Sequence, residues 1–254
     1  FLSIPSEPTI VSHVRSNITV DGDLSEGAWD IATDVSNVVI GTTNNAVKFG
    51  VLWDSTYLYV GMKVLDDNPY NDSTYVHEDD SVEIYIDGDH NHGTTYDNYD
   101  RQFVKGWNDS ILVEQHGKTT GVLHGWAPIP GGYNVELAIP WSNLSITPTA
   151  GMTLGFSVGY NDDDNGAGRD GQAVWIGTAN NWLDTSAFGG IVLGAASPPT
   201  PTPTPTPLPG GLDVHYTLDE GSGAIANDSS GNGNHGIING ATWATGISGG
   251  ALSL

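Results

Sequence analysis

Asp87, Asp89, Asp97 and Asp100 fall in one short run, Asp87-Gly-Asp-His-Asn-His-Gly-Thr-Thr-Tyr-Asp97-Asn-Tyr-Asp100. A hard cation such as Ca²⁺ takes about six to eight oxygens from carboxylates and carbonyls, and glycines let a loop fold around one. The spacing differs from that of an EF-hand loop, which closes on a Glu at its twelfth position. His90 and His92 add imidazoles, but the run holds no third nitrogen or sulfur ligand for a Zn²⁺ set. Calcium is therefore the expected cofactor, with Asp87, Asp89, Asp97 and Asp100 as its ligands; a plain acidic turn is the simpler reading of the same residues. A second run, Asn161-Asp-Asp-Asp-Asn-Gly-Ala-Gly-Arg169-Asp170, reads as a solvated hairpin turn, or as the rim of a cation or ligand site.

Strand-like alternation arranges further polar groups. In Ser81–Asp87 the apolar Val82, Ile84 and Ile86 leave Glu83, Tyr85 and Asp87 together on the opposite face. In Leu154–Tyr160 the face opposite Leu154, Phe156, Val158 and Tyr160 is Gly155, Ser157 and Gly159, and in Tyr133–Ile139 the outward set is Asn134, Glu136 and Ala138. Small residues weaken a strand and suit a place where something approaches the backbone closely. The expectation is a groove floored by small residues and walled by polar ones, with a covering loop as the alternative. The chain holds 8 tryptophans, of which Trp53 alternates as a core residue while Trp107, Trp126 and Trp182 sit in polar, loop-like stretches. Sugar rings have apolar faces and hydroxyl rims, so their sites combine flat aromatics with convergent polar groups.

Catalysis finds less support. Glu83 and Glu136 form the kind of carboxylate pair that glycoside hydrolysis uses, but chance pairs are expected among 30 acidic residues. No nucleophile elbow, P-loop or H-E-x-x-H motif is present. The absence of cysteine removes disulfides, thiolate metal sites and thiol nucleophiles together. Acids outnumber bases by 30 to 7, a formal charge of −23. A field of that sign repels phosphate backbones and anionic lipid, so neither nucleic acid nor membrane is an expected partner.

The elements that must position these residues read as β throughout. Alternation runs through Val47–Trp53, Tyr57–Val64, Ser81–Asp87, Tyr133–Ile139 and Leu154–Tyr160, with Gly, Asn, Asp and Pro turn clusters between. The only helical expectation is a turn near Ser25–Ile31. Many short strands of this kind predict an all-β antiparallel sandwich over residues 1–196. Seven of the 14 prolines then fall in a Pro-Thr segment, 197–211, which predicts a polyproline II tether between modules. The 43 residues Leu212–Leu254 carry two strand candidates, Leu212–Thr217 and Ala241–Ala244, and read as the opening of a second β domain. The chain opens on Phe1 with no apolar leader, which predicts a processed, secreted protein.

Five motifs occur in order: Asp21-Gly-Asp-Leu-Ser-Glu-Gly-Ala-Trp29, Val51-Leu-Trp-Asp-Ser-Thr-Tyr-Leu-Tyr-Val60, Glu78-Asp-Asp-Ser-Val-Glu-Ile-Tyr-Ile-Asp-Gly-Asp89, Gly132-Tyr-Asn-Val-Glu-Leu-Ala-Ile-Pro-Trp141 and Ser186-Ala-Phe-Gly-Gly-Ile-Val-Leu193. Together they resemble the family 9 carbohydrate-binding module, an immunoglobulin-like β-sandwich related to the DOMON fold. The resemblance implies a monomeric, non-catalytic module that clamps the reducing ends of cellulose or xylan chains between two tryptophans, with structural calcium. Trp182 matches the second clamp residue, and His77 stands where the first would be, with Tyr70 and Tyr75 nearby. Glu83 and Gln102 match the sugar-contacting Glu and Gln, and Asn180 joins them from the Trp182 loop. A basic contact of the family falls on Val104, leaving Lys105 or Arg101 to stand in. Relatives of the DOMON fold also bind haem b, for which Met62 or Met152 would be the axial candidates, and a ligand-free spacer is a further alternative. The tail, with Gly211-Leu-Asp-Val-His-Tyr-Thr-Leu-Asp-Glu, resembles the start of a laminin-G-like, concanavalin-type jelly roll.

Overall fold

The computed structural model describes residues 9–14, 18–195, 213–247 and 249–254. The chain divides between Ala196 and Ser197 into two units; the Pro-Thr segment 197–211 lies outside the described residues. In the first unit the strands are β1 (Thr9–His13), β2 (Thr33–Val35), β3 (Asn37–Gly41), β4 (Ala46–Trp53), β5 (Tyr57–Leu65), β6 (Ser81–Asp87), β7 (Asp100–Gly106), β8 (Leu112–Glu114), β9 (Leu123–Ile129), β10 (Gly132–Pro140), β11 (Thr153–Asp162), β12 (Gly171–Val174) and β13 (Gly189–Leu193).

These strands form a β-sandwich. One layer runs β8-β7-β6-β11, and the far edge of β11 is shared: Thr153–Phe156 pair with β13 and Gly159–Asp162 with β12, which carries β3. The other layer runs β4-β5-β10-β9, with β2 paired to Val47–Phe49 on the edge of β4 away from β5. All pairings are antiparallel except those of β1, which lies parallel to β13 over Thr9–Val11 and then parallel to β4 over Ser12–His13, so that one strand stitches the two layers together.

The alternating apolar sets meet between the layers. Val82, Ile84, Ile86, Phe156 and Val158 from one layer face Phe49, Val60, Met62, Val135 and Leu137 from the other, all buried in a single core. Burying each such side chain contributes roughly 1.5–3 kcal/mol. Met62 is a fully buried member of this core. Trp53 and Trp141 pack edge to face at 6.4 Å within it, and Trp175 closes one side against Phe49 and Phe156.

Ser25–Ile31 is not helical but a series of turns and bends. The chain from Asp21 onward is held flat on the outer face of β5, β9 and β10. Glu136 of β10 accepts the backbone N–H groups of Asp21 and Gly22 at 3.1 and 3.2 Å, and its strand neighbours Gly61 and Gly125 leave room for the crossing segment. A Cβ at Gly61 would lie 2.8 Å from the Leu24 side chain. The helical segments among the described residues are a 3₁₀ turn, Val76–Glu78, and one α-turn, Trp141–Leu144. No helix among them is long and apolar enough to cross a membrane.

The second unit contains two ribbons, β14 (Ile225–Ala226) with β15 (Gly236–Ile237), and β16 (Thr242–Thr245) with β17 (Gly250–Ser253). The strand expected at Ala241–Ala244 is found within one residue. Of the one expected at Leu212–Thr217, Leu212 lies outside the described residues and the rest holds a single bridge, between Tyr216 and Asp228. There the Asp228 carboxylate takes the N–H groups of His215, Ser230 and Asn234, so turns replace a ladder.

Candidate functional site

The outer face of β6, β7, β11 and β12 carries the candidate site. Register places Glu83 opposite Val104 on β7 and Gly159 on β11, and Tyr85 opposite Gln102 and Ser157. Asn161 of β11 lies between Ser81 and Gln172, and Gln172 faces Ile40. Because residues paired across strands share a face, Glu83, Gln102, Asn161 and Gln172 all lie on one surface. A cavity of about 460 Å³ opens above them, within the range of small-ligand sites. Glu83, Gln102 and Gln172 line its base, Val104 and Val113 supply apolar lining, and His77, Arg169 and Trp182 complete it.

Glu83 organises this base. It is only 2% exposed, and its two oxygens are fully used. Oε2 accepts the Tyr85 hydroxyl and the Gln102 Nε2 at 2.7 Å. Oε1 accepts Asn161 Nδ2 at 2.6 Å and Gln172 Nε2 at 3.3 Å. A buried carboxylate with about four lone-pair sites filled is stable without a salt bridge. Burial, reinforced by Glu83, pushes the Tyr85 phenol well above its ordinary range, so it stays a donor.

Trp182 is 46% exposed beside this polar base. Its loop is fastened from below by Asn181, whose Oδ1 accepts Thr178 N–H at 2.8 Å and whose Nδ2 donates to the Ile176 carbonyl at 3.0 Å. The Tyr96 hydroxyl holds the Asn181 carbonyl at 2.6 Å. The loop thus presents an indole to the groove on a rigid base. His77 lies in the 3₁₀ turn with its ring stacked on Tyr75 at 5.7 Å and its Nε2 3.4 Å from Glu78. Tyr70 is not part of the cavity lining.

Three other expected contacts are not brought here. Lys105 lies opposite Val82 and therefore on the core side of β7; it is buried, and its ammonium donates to the carbonyls of Asp109 and Ile111. Arg101, on the same side, is consumed by Asn143 and the carbonyls of Asn98 and Asp100. Asn180 is exposed, its carbonyl accepts Leu183 and Asp184 N–H groups, and Ala179 lines the cavity instead. Sequence reasoning missed Gln172 and Gln115 and did not single out Arg169. The one visible signal was a lone cation at the end of an otherwise acidic loop.

The Gly155-Ser157-Gly159 face is real but is not the groove floor. A Cβ at Gly155 would sit 2.7 Å from Asp87, and one at Gly159 3.0 Å from the Ala173 carbonyl. Ser157 Oγ donates to the Ile176 carbonyl at 2.6 Å. The small residues admit the chain's own segments, the covering-loop alternative. Glu136 belongs to the opposite layer, so it and Glu83 do not form a facing acid–base pair. Trp107 and Trp126 pack on each other at 6.4 Å against the core, away from the cavity.

Among the described residues, three groups of carboxylates lie close enough together that each could hold a cation. Asp87, Asp89 and Asp100 bring oxygens within 4.8 Å of one another, while Asp97 turns to Asn91 Nδ2 and Tyr99 N–H instead. Asp100 Oδ1 is buried without a partner, and burial pushes this carboxyl up to about 6. The other groups, Asp66–Asp162–Asp164 and Asp72–Asp79–Asp163, join the second acidic run to residues far away in sequence. Asp162 and Asp163 each leave a buried Oδ2 unpaired, and burial with Asp66 alongside raises Asp80. Unpaired buried carboxylate oxygens are costly, and an oxygen-seeking cation relieves that cost.

A β-sandwich with an amide-lined, tryptophan-flanked groove on one sheet face defines a carbohydrate-binding domain. The chain belongs to the family described as carbohydrate family 9 binding domain-like, which matches residues 20–196. It is 30% identical over 187 residues to an endo-1,4-beta-xylanase A of Thermoanaerobacterium saccharolyticum, covering 72% of this chain and 16% of that protein. The chain spans about a sixth of the length of the curated relatives it matches. Among solved structures, a family 9 module from Caldicellulosiruptor kristjanssonii in complex with cellotriose superimposes with a TM-score of 0.68 at 26% identity, covering 75% of this chain and 95% of that one. A family 9 module from the same organism in complex with glucose gives a TM-score of 0.68 and 26% identity, covering 77% of this chain and 100% of that one.

Proposed function

We propose that this chain is the non-catalytic, polysaccharide-targeting part of a secreted multidomain protein, and that its groove holds reducing ends of plant β-1,4-glucan or xylan chains. The observation that carries this reading is Trp182, half exposed beside amides whose nitrogens are fixed by a buried Glu83. An indole face takes the apolar side of a sugar ring while amide oxygens take its hydroxyls. The solved relatives' complexes with cellotriose and with glucose support a site that engages a terminal ring, since a single glucose suffices there. The xylanase relative supports a polysaccharide-degrading parent.

Each contact between a monomeric module and one sugar chain is weak, because few ligand atoms are buried. The benefit is a raised local concentration of the attached domains on an insoluble substrate. Ca²⁺ fills the Asp87–Asp89–Asp100 group as a structural ion, supported by the unpaired Asp100 oxygen. It neutralises the cluster and fixes the end of β6 against β7. The test is depletion of the chain from solution by insoluble cellulose and by xylan, before and after borohydride reduction of chain ends. Depletion lost on reduction supports end recognition; equal depletion contradicts it.

A further inference from the structure

We propose that Arg169, and not Glu83, is the charged group of the groove that touches the sugar, which makes it a specificity-determining residue. The inference rests on the carbohydrate-binding reading above. Both oxygens of Glu83 are occupied by four protein donors, so its carboxylate has no lone pair left to accept a sugar hydroxyl. Its role is to position other groups.

What it positions has a definite polarity. Gln102 and Gln172 each give Nε2 to Glu83, so each offers the groove an amide oxygen, an acceptor. Asn161 gives Nδ2 to Glu83 and to Ser81, which turns its Oδ1 toward Arg169. Arg169 Nη1 donates to that oxygen at 3.0 Å. A guanidinium has five N–H donors, and this is the one hydrogen bond that the Arg169 side chain makes among the described residues. Among the described residues the ion pairs are Lys48–Asp34 and His77–Glu78. An arginine that lines a cavity with no carboxylate partner, in a chain of charge −23, keeps most of its donors for a ligand.

The groove therefore presents two acceptors and one planar donor fork. Sugar hydroxyls both donate and accept, so a ring can give its hydrogens to the two amide oxygens while neighbouring hydroxyl oxygens take the fork. A planar fork takes two adjacent ring hydroxyls in one fixed plane, and turning one of them from equatorial to axial tilts the pair relative to the ring, so a ring held flat on Trp182 presents the epimer's pair at the wrong angle. Val104 and Val113 leave apolar lining on the β7–β8 side, so the cation reaches the ligand from the loop after β11.

The test is calorimetric titration of the full chain, as wild type, Arg169→Lys and Arg169→Ala, with glucose and with its epimers mannose and galactose. Melting temperatures of the three proteins check that the loop survives. The expected result is wild-type preference for glucose, at least a tenfold loss of glucose affinity in both variants, and collapse of the preference over at least one epimer. Full rescue by lysine would reduce the role to a point charge and overturn the fork. Unchanged affinity in Arg169→Ala would overturn the whole inference while leaving the sugar-binding reading intact. Absence of binding by the wild type to any of the sugars would instead contradict that reading.

Discussion

Gln102 donates its Nε2 to Glu83 Oε2 at 2.7 Å, across the two neighbouring strands that form the base of the groove. The bond ties fold to site, because the carboxylate that satisfies buried donors also fixes the amides that line the groove. Glu83→Ala leaves the Tyr85, Gln102, Asn161 and Gln172 donors without their acceptor. A loss of about 2–4 kcal/mol is expected, seen as a lower denaturant midpoint, together with loss of sugar binding in the fraction that stays folded.

His77→Trp is expected to tighten binding to cello-oligosaccharides several-fold. His77 lines the cavity and is about half exposed, and an indole there offers a sugar ring more apolar area than an imidazole does. Titration with cellobiose checks this; unchanged or weaker affinity would show that residue 77 does not face the bound ring.

With Ca²⁺ in the Asp87–Asp89–Asp100 group, as proposed, calcium and pH act on the same groups. Burial raises Asp100 to about 6 and pushes Asp89 up, so in metal-free protein the folded state holds these protons more tightly than the unfolded chain. The resulting stabilisation is complete below about pH 4, the unfolded value. It is lost as pH rises through about 6. With chelator present, the melting temperature should fall from pH 4 to 7. Ca²⁺ bound there would take the place of the protons, so the rise in melting temperature on adding it should grow across that window. An equal rise at pH 4.5 and pH 7.5 would contradict cation binding by these carboxylates.

Gly22→Ala is expected to destabilise by about 2 kcal/mol or more. Gly22 has φ +86°, and a Cβ there would sit 2.6 Å from the Ala127 backbone nitrogen. Thermal unfolding checks this; a melting temperature within error of wild type would show that the segment crossing β9 and β10 can shift without cost.

What is legible in the sequence is what is local. The alternation of Val82, Ile84 and Ile86 with Glu83, Tyr85 and Asp87 has a period of two, and it fixes strand and face together. The position of Trp182 in a polar loop is visible in the same way. What is not legible depends on register, because a shift of one residue exchanges the faces of a strand. Lys105 and Gln102 differ by an odd number of positions, so one faces the core and the other the groove. Glu136 shows the same alternation as Glu83 but stands in the other layer, which periodicity cannot report. The cover over Ser157 comes from Ile176, and Asp66 meets Asp162 across almost a hundred residues; neither pairing leaves a mark in local spacing.

The central claim is that Trp182 and the amides beside it hold a sugar ring, and calorimetric titration of the full chain with cellobiose, as wild type and as Trp182→Ala, tests it most directly. Trp182 is 46% exposed, so its removal should leave the melting temperature nearly unchanged. The account predicts saturable binding by the wild type and a loss of affinity of about tenfold or more in the variant. Equal affinity in the two proteins, or no binding of cellobiose by the wild type, would contradict it.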